Sequence, residues 1–317
     1  MRTVMVIAIG VLLATLTSCG RGSAPAVTDA ELRIAITVPP LEWVARGLAP
    51  DGTPVSTLLP PGASEHGYEP PPSRLADFVR ADVVLMVGLG LEPAADRALR
   101  SSPRGGRSIV VFAEAAGVTG EMAESHAGHD HTDPDHSHTH DASGLDPHLW
   151  LDPPRMLPMI DATHDALARQ LRRRGASDAE IDALASRRDA LRNAVERVDA
   201  AYRERLAPYA GGALVTAHDS MSRLAARYGL RVVGVVHTHE GAEPTPGEIV
   251  RAAQALRSAT HRAILIEPQS GRSVAERLAG ETGAPVATFD PLGSGDWEST
   301  MLTNLDALVQ AFADANR

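Results

Sequence analysis

Beyond its amino terminus the chain alternates short apolar runs with amphipathic segments, and it does so twice. In the first half, Leu32–Val38, Val55–Leu59, Val83–Val87 and Ser108–Phe112 predict strands, and Leu41–Leu48, Ser73–Arg80 and Glu92–Leu99 predict the helices between them. The second half repeats the rhythm. Its strands are Ala213–Ala217, Arg231–Val236, Ala263–Ile266 and Pro285–Phe289, with helices near Ser220–Tyr228, Pro246–Ser258 and Arg272–Glu281, and a last helix from Glu298 to Asp314. Strands that alternate with helices define an α/β fold of parallel sheets, one in each half.

Between the halves, Ser177-Asp178-Ala179-Glu180 offers a helix cap, and Leu184, Leu191, Val195, Val198 and Tyr202 then recur at helical spacing. The spacing predicts one helix of about seven turns that ends before Pro208. Such a helix acts as a stiff strut and leaves little room for hinge motion. The expected organisation is a first lobe over 29–176, a linking helix over 177–207 and a second lobe over 208–317.

The amino terminus has a different character. Arg2 precedes an apolar stretch from Val4 to Leu16, too short to span a bilayer and followed by small residues, which reads as a secretory signal over 1–18. Cys19 is the only cysteine, and its place after Leu16-Thr17-Ser18 resembles the lipobox of bacterial lipoproteins, in which the cysteine carries the lipid. Residues 19–28 then form a tether to the membrane. With a single thiol, neither a disulfide nor a cysteine-based zinc site is available, so any metal must sit on histidine and carboxylate. The formal charge of −10 argues against a nucleic-acid partner.

Metal chemistry is announced by the segment SHAGHDHTDPDHSHTHDASGLDPHLW from Ser125 to Trp150. Imidazole is the commonest protein ligand for late first-row metals, and so many polar rings in succession do not belong in a packed core. The run over 125–141, with His126, His129, His131, His136, His138 and His140, reads as a loop over the cleft mouth that captures extra zinc weakly. Each such ion has to order the loop as it binds, which holds affinity below that of a preformed site.

The preformed site is expected elsewhere. In open α/β sheets, ligands bind beyond the carboxyl ends of the strands. His66 follows the second strand, His148 follows the fourth, His218 follows the first strand of the second half, and Asp290 follows the last. Three imidazoles and one carboxylate suit tetrahedral zinc, whereas a carboxylate-dominated set suits harder ions such as manganese. His237 and His239 read as surface-loop residues, and His164 and His261 receive no role.

These residues also carry a family resemblance. Pro61-Gly62-Ala63-Ser64-Glu65-His66 with Tyr68-Glu69-Pro70, then Ala81-Asp82-Val83-Val84, Gly88 and Glu92, resemble the first lobe of zinc-specific solute-binding proteins of bacterial ABC transporters, the ZnuA-like branch of the TroA-like superfamily. Asp146-Pro147-His148-Leu149-Trp150-Leu151-Asp152-Pro153 is similar to their second ligand motif, and His218-Asp219 with Tyr228-Gly229-Leu230 to the third. The resemblance covers nearly the whole chain after the signal. It implies two α/β lobes joined by a rigid helix, zinc held in the cleft, and delivery to a permease and its ATPase. It also implies His66, His148 and His218 as ligands and leaves the fourth open: Asp290, Glu65 or water, with Glu267 matching a carboxylate position of manganese-type members. The second-lobe cysteine pair of some zinc-type relatives is missing, which bears on stability rather than on metal.

The expected mechanism is capture by a lipid-anchored monomer without catalysis. Affinity falls as the histidines protonate below about 6.5, and release follows a relative shift of the lobes. A manganese or iron carrier and a metal-linked adhesin of the same fold are the nearest alternatives. A zinc hydrolase is a more distant one, since the chain has no His-Glu-x-x-His helix.

Overall fold

The computed structural model describes residues 31–118, 146–236, 245–269 and 271–315. The signal over 1–18, Cys19 and its tether, the histidine run over 125–141, His237 and His239 lie outside the described residues.

The first lobe runs β1 (Ile34–Ile36), α1 (Pro40–Leu48), β2 (Val55–Thr57), α2 (Pro72–Phe78), β3 (Val83–Met86), α3 (Pro93–Ser101), β4 (Ser108–Val111) and the single turn α4 (Phe112–Ala115). Two 3₁₀ turns, Leu149–Leu151 and Pro153–Arg155, lead into α5 (Met156–Arg173) and the linking helix α6 (Asp178–Leu206). The second lobe follows as β5 (Ala213–Thr216), α7 (Ser222–Arg227), β6 (Arg231–Val235), α8 (Pro246–Ser258), β7 (Arg262–Ile266), α9 (Ser273–Thr282), β8 (Val286–Thr288) and α10 (Trp297–Asp314).

Both sheets are parallel and share one strand order, β2-β1-β3-β4 in the first lobe and β6-β5-β7-β8 in the second. In each, the chain steps from its first strand to one neighbour and then crosses to the other side. The reversal falls beside β1 and beside β5, so loops at the carboxyl ends of these strands diverge and leave room for a ligand. The central strands β1, β3 and β5 are buried along their whole length, which explains their continuous apolar runs.

The expected long helix between the lobes forms. Ser177 Oγ accepts from Glu180 N, and Glu180 Oε2 accepts from Ser177 N at 2.7 Å, closing a capping box ahead of 29 helical residues. At 1.5 Å per residue α6 is about 43 Å long. It buries Leu184, Leu191, Val195, Val198 and Tyr202 along one seam. A single apolar cluster runs from Ile34 and Leu85 of the first sheet, through Ile160 of α5 and Val198 of α6, to Phe289, Trp297 and Leu305 of the second lobe. Trp43 of α1 meets Trp297 of α10 with ring centroids 5.0 Å apart. The lobes are therefore joined by packed core as well as by the helix.

One residue that the resemblance singled out, Glu92, ties the site-facing end of the first sheet together. Its Oε1 accepts from Thr37 Oγ1 at 2.6 Å and from Val87 N at 2.8 Å, and its Oε2 accepts from Gly88 N at 3.0 Å. Replacing Glu92 with alanine orphans donors after both β1 and β3, and it should destabilise the metal-free protein by about 2–3 kcal/mol, read from denaturant unfolding. Helix α5 lies outside the elements expected from periodicity. Pro158 sits in its first turn, where a missing N–H is harmless. Among the described residues no helix is long and apolar enough to cross a membrane.

Candidate metal centre

Four side chains converge where the carboxyl ends of the two sheets face each other: Glu65, His66, His148 and His218, each offering one donor atom within 4.8 Å of the others. Glu65 and His66 sit on the turn after β2, held between Gly62 at φ +76° and Gly67 at φ +70°. These left-handed positions favour glycine and let consecutive side chains face one point. His148 is delivered by Asp146-Pro147-His148. Pro147 has no N–H, so Asp146 Oδ1 reaches past it and accepts from His148 N at 2.9 Å, fixing the turn before the Leu149–Leu151 3₁₀ segment. His218 stands two residues beyond β5, and its carbonyl accepts from Thr216 Oγ1 at 2.8 Å and Ser220 N at 2.9 Å.

The distances are informative. His148 Nε2 lies 3.2 Å from His66 Nε2, 3.2 Å from His218 Nε2 and 3.2 Å from Glu65 Oε1, and the His218 Nε2 to Glu65 Oε1 distance is 3.7 Å. Donors held about 2.0–2.2 Å from a tetrahedral zinc stand about 3.3–3.6 Å from one another. A ring nitrogen carries either one proton or one lone pair, so a single Nε2 cannot be satisfied by three such neighbours at once. One cation at their centre satisfies all four.

The second nitrogens are equally defined. His148 Nδ1 is 2.8 Å from Asp146 Oδ1, and His218 Nδ1 is 2.5 Å from Glu267 Oε1, whose other oxygen accepts from Gln269 Nε2 at 2.9 Å. A carboxylate on Nδ1 fixes the tautomer that leaves Nε2 free to ligate and makes the imidazole a better donor.

Burial sharpens the electrostatics. Glu65 is 3% exposed and His148 1% exposed. Burial alone would lower the affinity of His148 for a proton, yet hydrogen bonds and charge from Asp146 and Glu65 override it and push its pKa up to about 10. For Glu65 burial works upward, and the hydrogen bond and charge of His148, with the charges of His218 and His66, bring it down to about 2. The metal-free centre therefore holds an imidazolium between two carboxylates.

Two expected carboxylates do other work. Asp290 is outside the convergent group, because its Oδ1 accepts from Leu292 N at 3.0 Å and Gly293 N at 2.8 Å, and its own N–H donates to Asn304 Oδ1 at 2.9 Å. It shapes the turn after β8. Glu267 stands behind His218 and orients that ring, and is not among the converging donors. Glu65, the alternative, is the carboxylate that converges with the three histidines. Asp146 escaped the sequence reading, although a carboxylate two residues before a histidine with proline between was its signal.

Two parallel-sheet lobes on a long connecting helix thus hold a donor cluster between them. The chain belongs to the family described as zinc-uptake complex component A, periplasmic (ZnuA), which it matches over residues 34–311. It is 24% identical over 297 residues to the zinc-binding lipoprotein AdcA of Streptococcus pneumoniae, an alignment covering 89% of this chain and 56% of that protein. The chain thus spans about half the length of the curated relatives it matches first. Among solved structures, a crystal structure of ZnuA superposes with a TM-score of 0.69 at 22% identity, covering 88% of this chain and 98% of that one. The periplasmic zinc-binding protein TroA of Treponema pallidum superposes with a TM-score of 0.70 at 19% identity, covering 89% and 99%. At these identities the likeness to solved structures speaks for the fold.

Proposed function

We propose that the chain captures a zinc ion outside the cytoplasm through Glu65, His66, His148 and His218 and hands it to an ABC permease with its ATPase, held at the membrane by lipid on Cys19. The observation that carries this reading is the donor tetrad, whose atoms all lie within 4.8 Å of one another and whose spacings about His148 and from His218 to Glu65, 3.2–3.7 Å, approximate the edges of a zinc tetrahedron. Three nitrogen donors and one oxygen favour zinc over manganese. Zinc binding by relatives such as AdcA and TroA supports the same choice. The role is capture without catalysis: with Glu65 as fourth donor the tetrahedron is closed, and no position is left for an activated water.

The histidine run over 125–141 supplies further, weaker zinc-binding sites. Native mass spectrometry should find one tightly held zinc plus further, easily chelated ions in the full chain, and only the tight one after deletion of Ser125–Asp141. An unchanged number of ions after the deletion would remove the loop from the account. Zinc at roughly 1,000 times its Kd should stabilise the folded protein by about 4 kcal/mol, and a thermal transition indifferent to zinc would count against the whole reading.

A further inference from the structure

We infer that Arg223 and Arg227 are positioning residues that fasten the His148 segment to the second lobe, so that His148 and His218 form a fixed pair and the centre divides as Glu65–His66 against His148–His218. The inference rests on the proposed ligand set. It replaces the division expected from the sequence, in which His66 and His148 belong together.

The two arginines lie four residues apart on α7, the helix that opens just after His218, and so share one face. Each grips one end of the segment from Asp146 to Asp152. Arg223 donates to the Asp146 carbonyl from Nη2 at 2.8 Å and from Nε at 3.2 Å, and its Nε makes an ion pair with Asp146 Oδ2 at 3.1 Å. Asp146 is the residue whose Oδ1 holds both N and Nδ1 of His148. Arg227 forks onto Asp152, which is 4% exposed, with Nη2 at 2.9 Å from Oδ2 and Nε on Oδ1. Such bidentate, charge-assisted contacts are geometrically specific as well as strong.

Trp150 adds two bonds in the same direction. Its Nε1 donates to Pro291 O at 2.6 Å, and its carbonyl accepts from Trp297 Nε1 at 2.8 Å. The segment is thereby fixed to the second lobe at both ends and in its middle. The turn that carries Glu65 and His66 is built differently: Ala63 N donates to Pro60 O at 3.2 Å and His66 N to Ser64 Oγ at 3.2 Å, both within the turn. Opening the centre along this division parts Glu65 and His66 from an intact His148–His218 pair.

The test is Arg223→Met, read by zinc-edge X-ray absorption and by competition with a chromogenic zinc chelator. Wild type should show three imidazoles on the metal. The variant should show fewer than three, with affinity lower by about 10–100-fold, the range seen when a ligand's supporting partner is lost. Arg223→Lys keeps a donor for the Asp146 carbonyl and a charge for its carboxylate, and should recover most of the loss. Should Arg223→Met fail to fold, Arg227→Met puts the same question at the other end of the segment. Three imidazoles with wild-type affinity in the methionine variant would overturn the inference, as would a lysine variant no better than methionine. A wild type without three imidazoles would overturn the ligand assignment itself, and the inference with it.

Discussion

Replacing His148 with alanine lowers zinc affinity by about three orders of magnitude, roughly 4 kcal/mol. The size follows from its place in the centre. Its Nε2 stands 3.2 Å from a donor atom of each of the other three residues, and the residue is 1% exposed. Loss of a ligand exceeds the 10–100-fold that loss of a supporting partner produces. The fold should survive, because Leu149, Trp150 and Leu151 in the adjoining core are untouched. Burial raises the pKa of Glu65, and the variant loses the His148 hydrogen bond and charge that oppose it, so in the metal-free variant the Glu65 pKa rises while the charges of His218 and His66 still hold it down in part. Competition titration together with far-UV circular dichroism separates the two effects. Wild-type affinity in a folded His148→Ala protein would remove this residue from the site.

Zinc binding should release a proton, and affinity should keep rising with pH well above the ordinary imidazole range. His148 is protonated below about 10 in the metal-free centre because Asp146 and Glu65 stabilise its charge against the opposing pull of burial. Zinc binds only the neutral ring, so between pH 7 and 9 the ion displaces one proton from His148. Apparent affinity then grows about tenfold per pH unit, or about 100-fold over that window. As pH falls through the same window the gain is lost. An unperturbed histidine would instead give a flat profile above about 6.5, which is the profile expected from the sequence. Calorimetry in buffers of different ionisation enthalpy counts the proton directly. Asp146→Asn, which removes one of the two charges that hold it, should shift the profile toward lower pH. No proton released at pH 8 would contradict the charge arrangement described for the centre.

The fold was legible in the sequence because parallel sheets bury whole strands. Runs such as Val83–Val87 have no polar partner to blur them, and the structure places β3 at Val83–Met86. Capping chemistry was legible for the same local reason, as Ser177 and Glu180 show. What escaped depends on neighbours distant in sequence. Glu267 lies one residue beyond β7 and His218 two beyond β5, and only the pairing of those strands brings the two side chains together. Asp290 looked like a ligand because it follows the last strand, but position after a strand does not say which way a carboxylate turns. In Asp290 the backbone N–H groups of Leu292 and Gly293 claim it. The pairing of Arg223 with Asp146 and Arg227 with Asp152 joins residues 77 and 75 positions apart, and nothing local in the sequence announces it.

The most direct test of the account is a zinc-loaded crystal structure with anomalous diffraction collected at the zinc edge. One strong peak about 2.0–2.2 Å from Nε2 of His66, His148 and His218 and from a carboxylate oxygen of Glu65 is the predicted result. A principal peak held by Asp290 or by Glu267 in place of these donors, or none between the lobes, would contradict it.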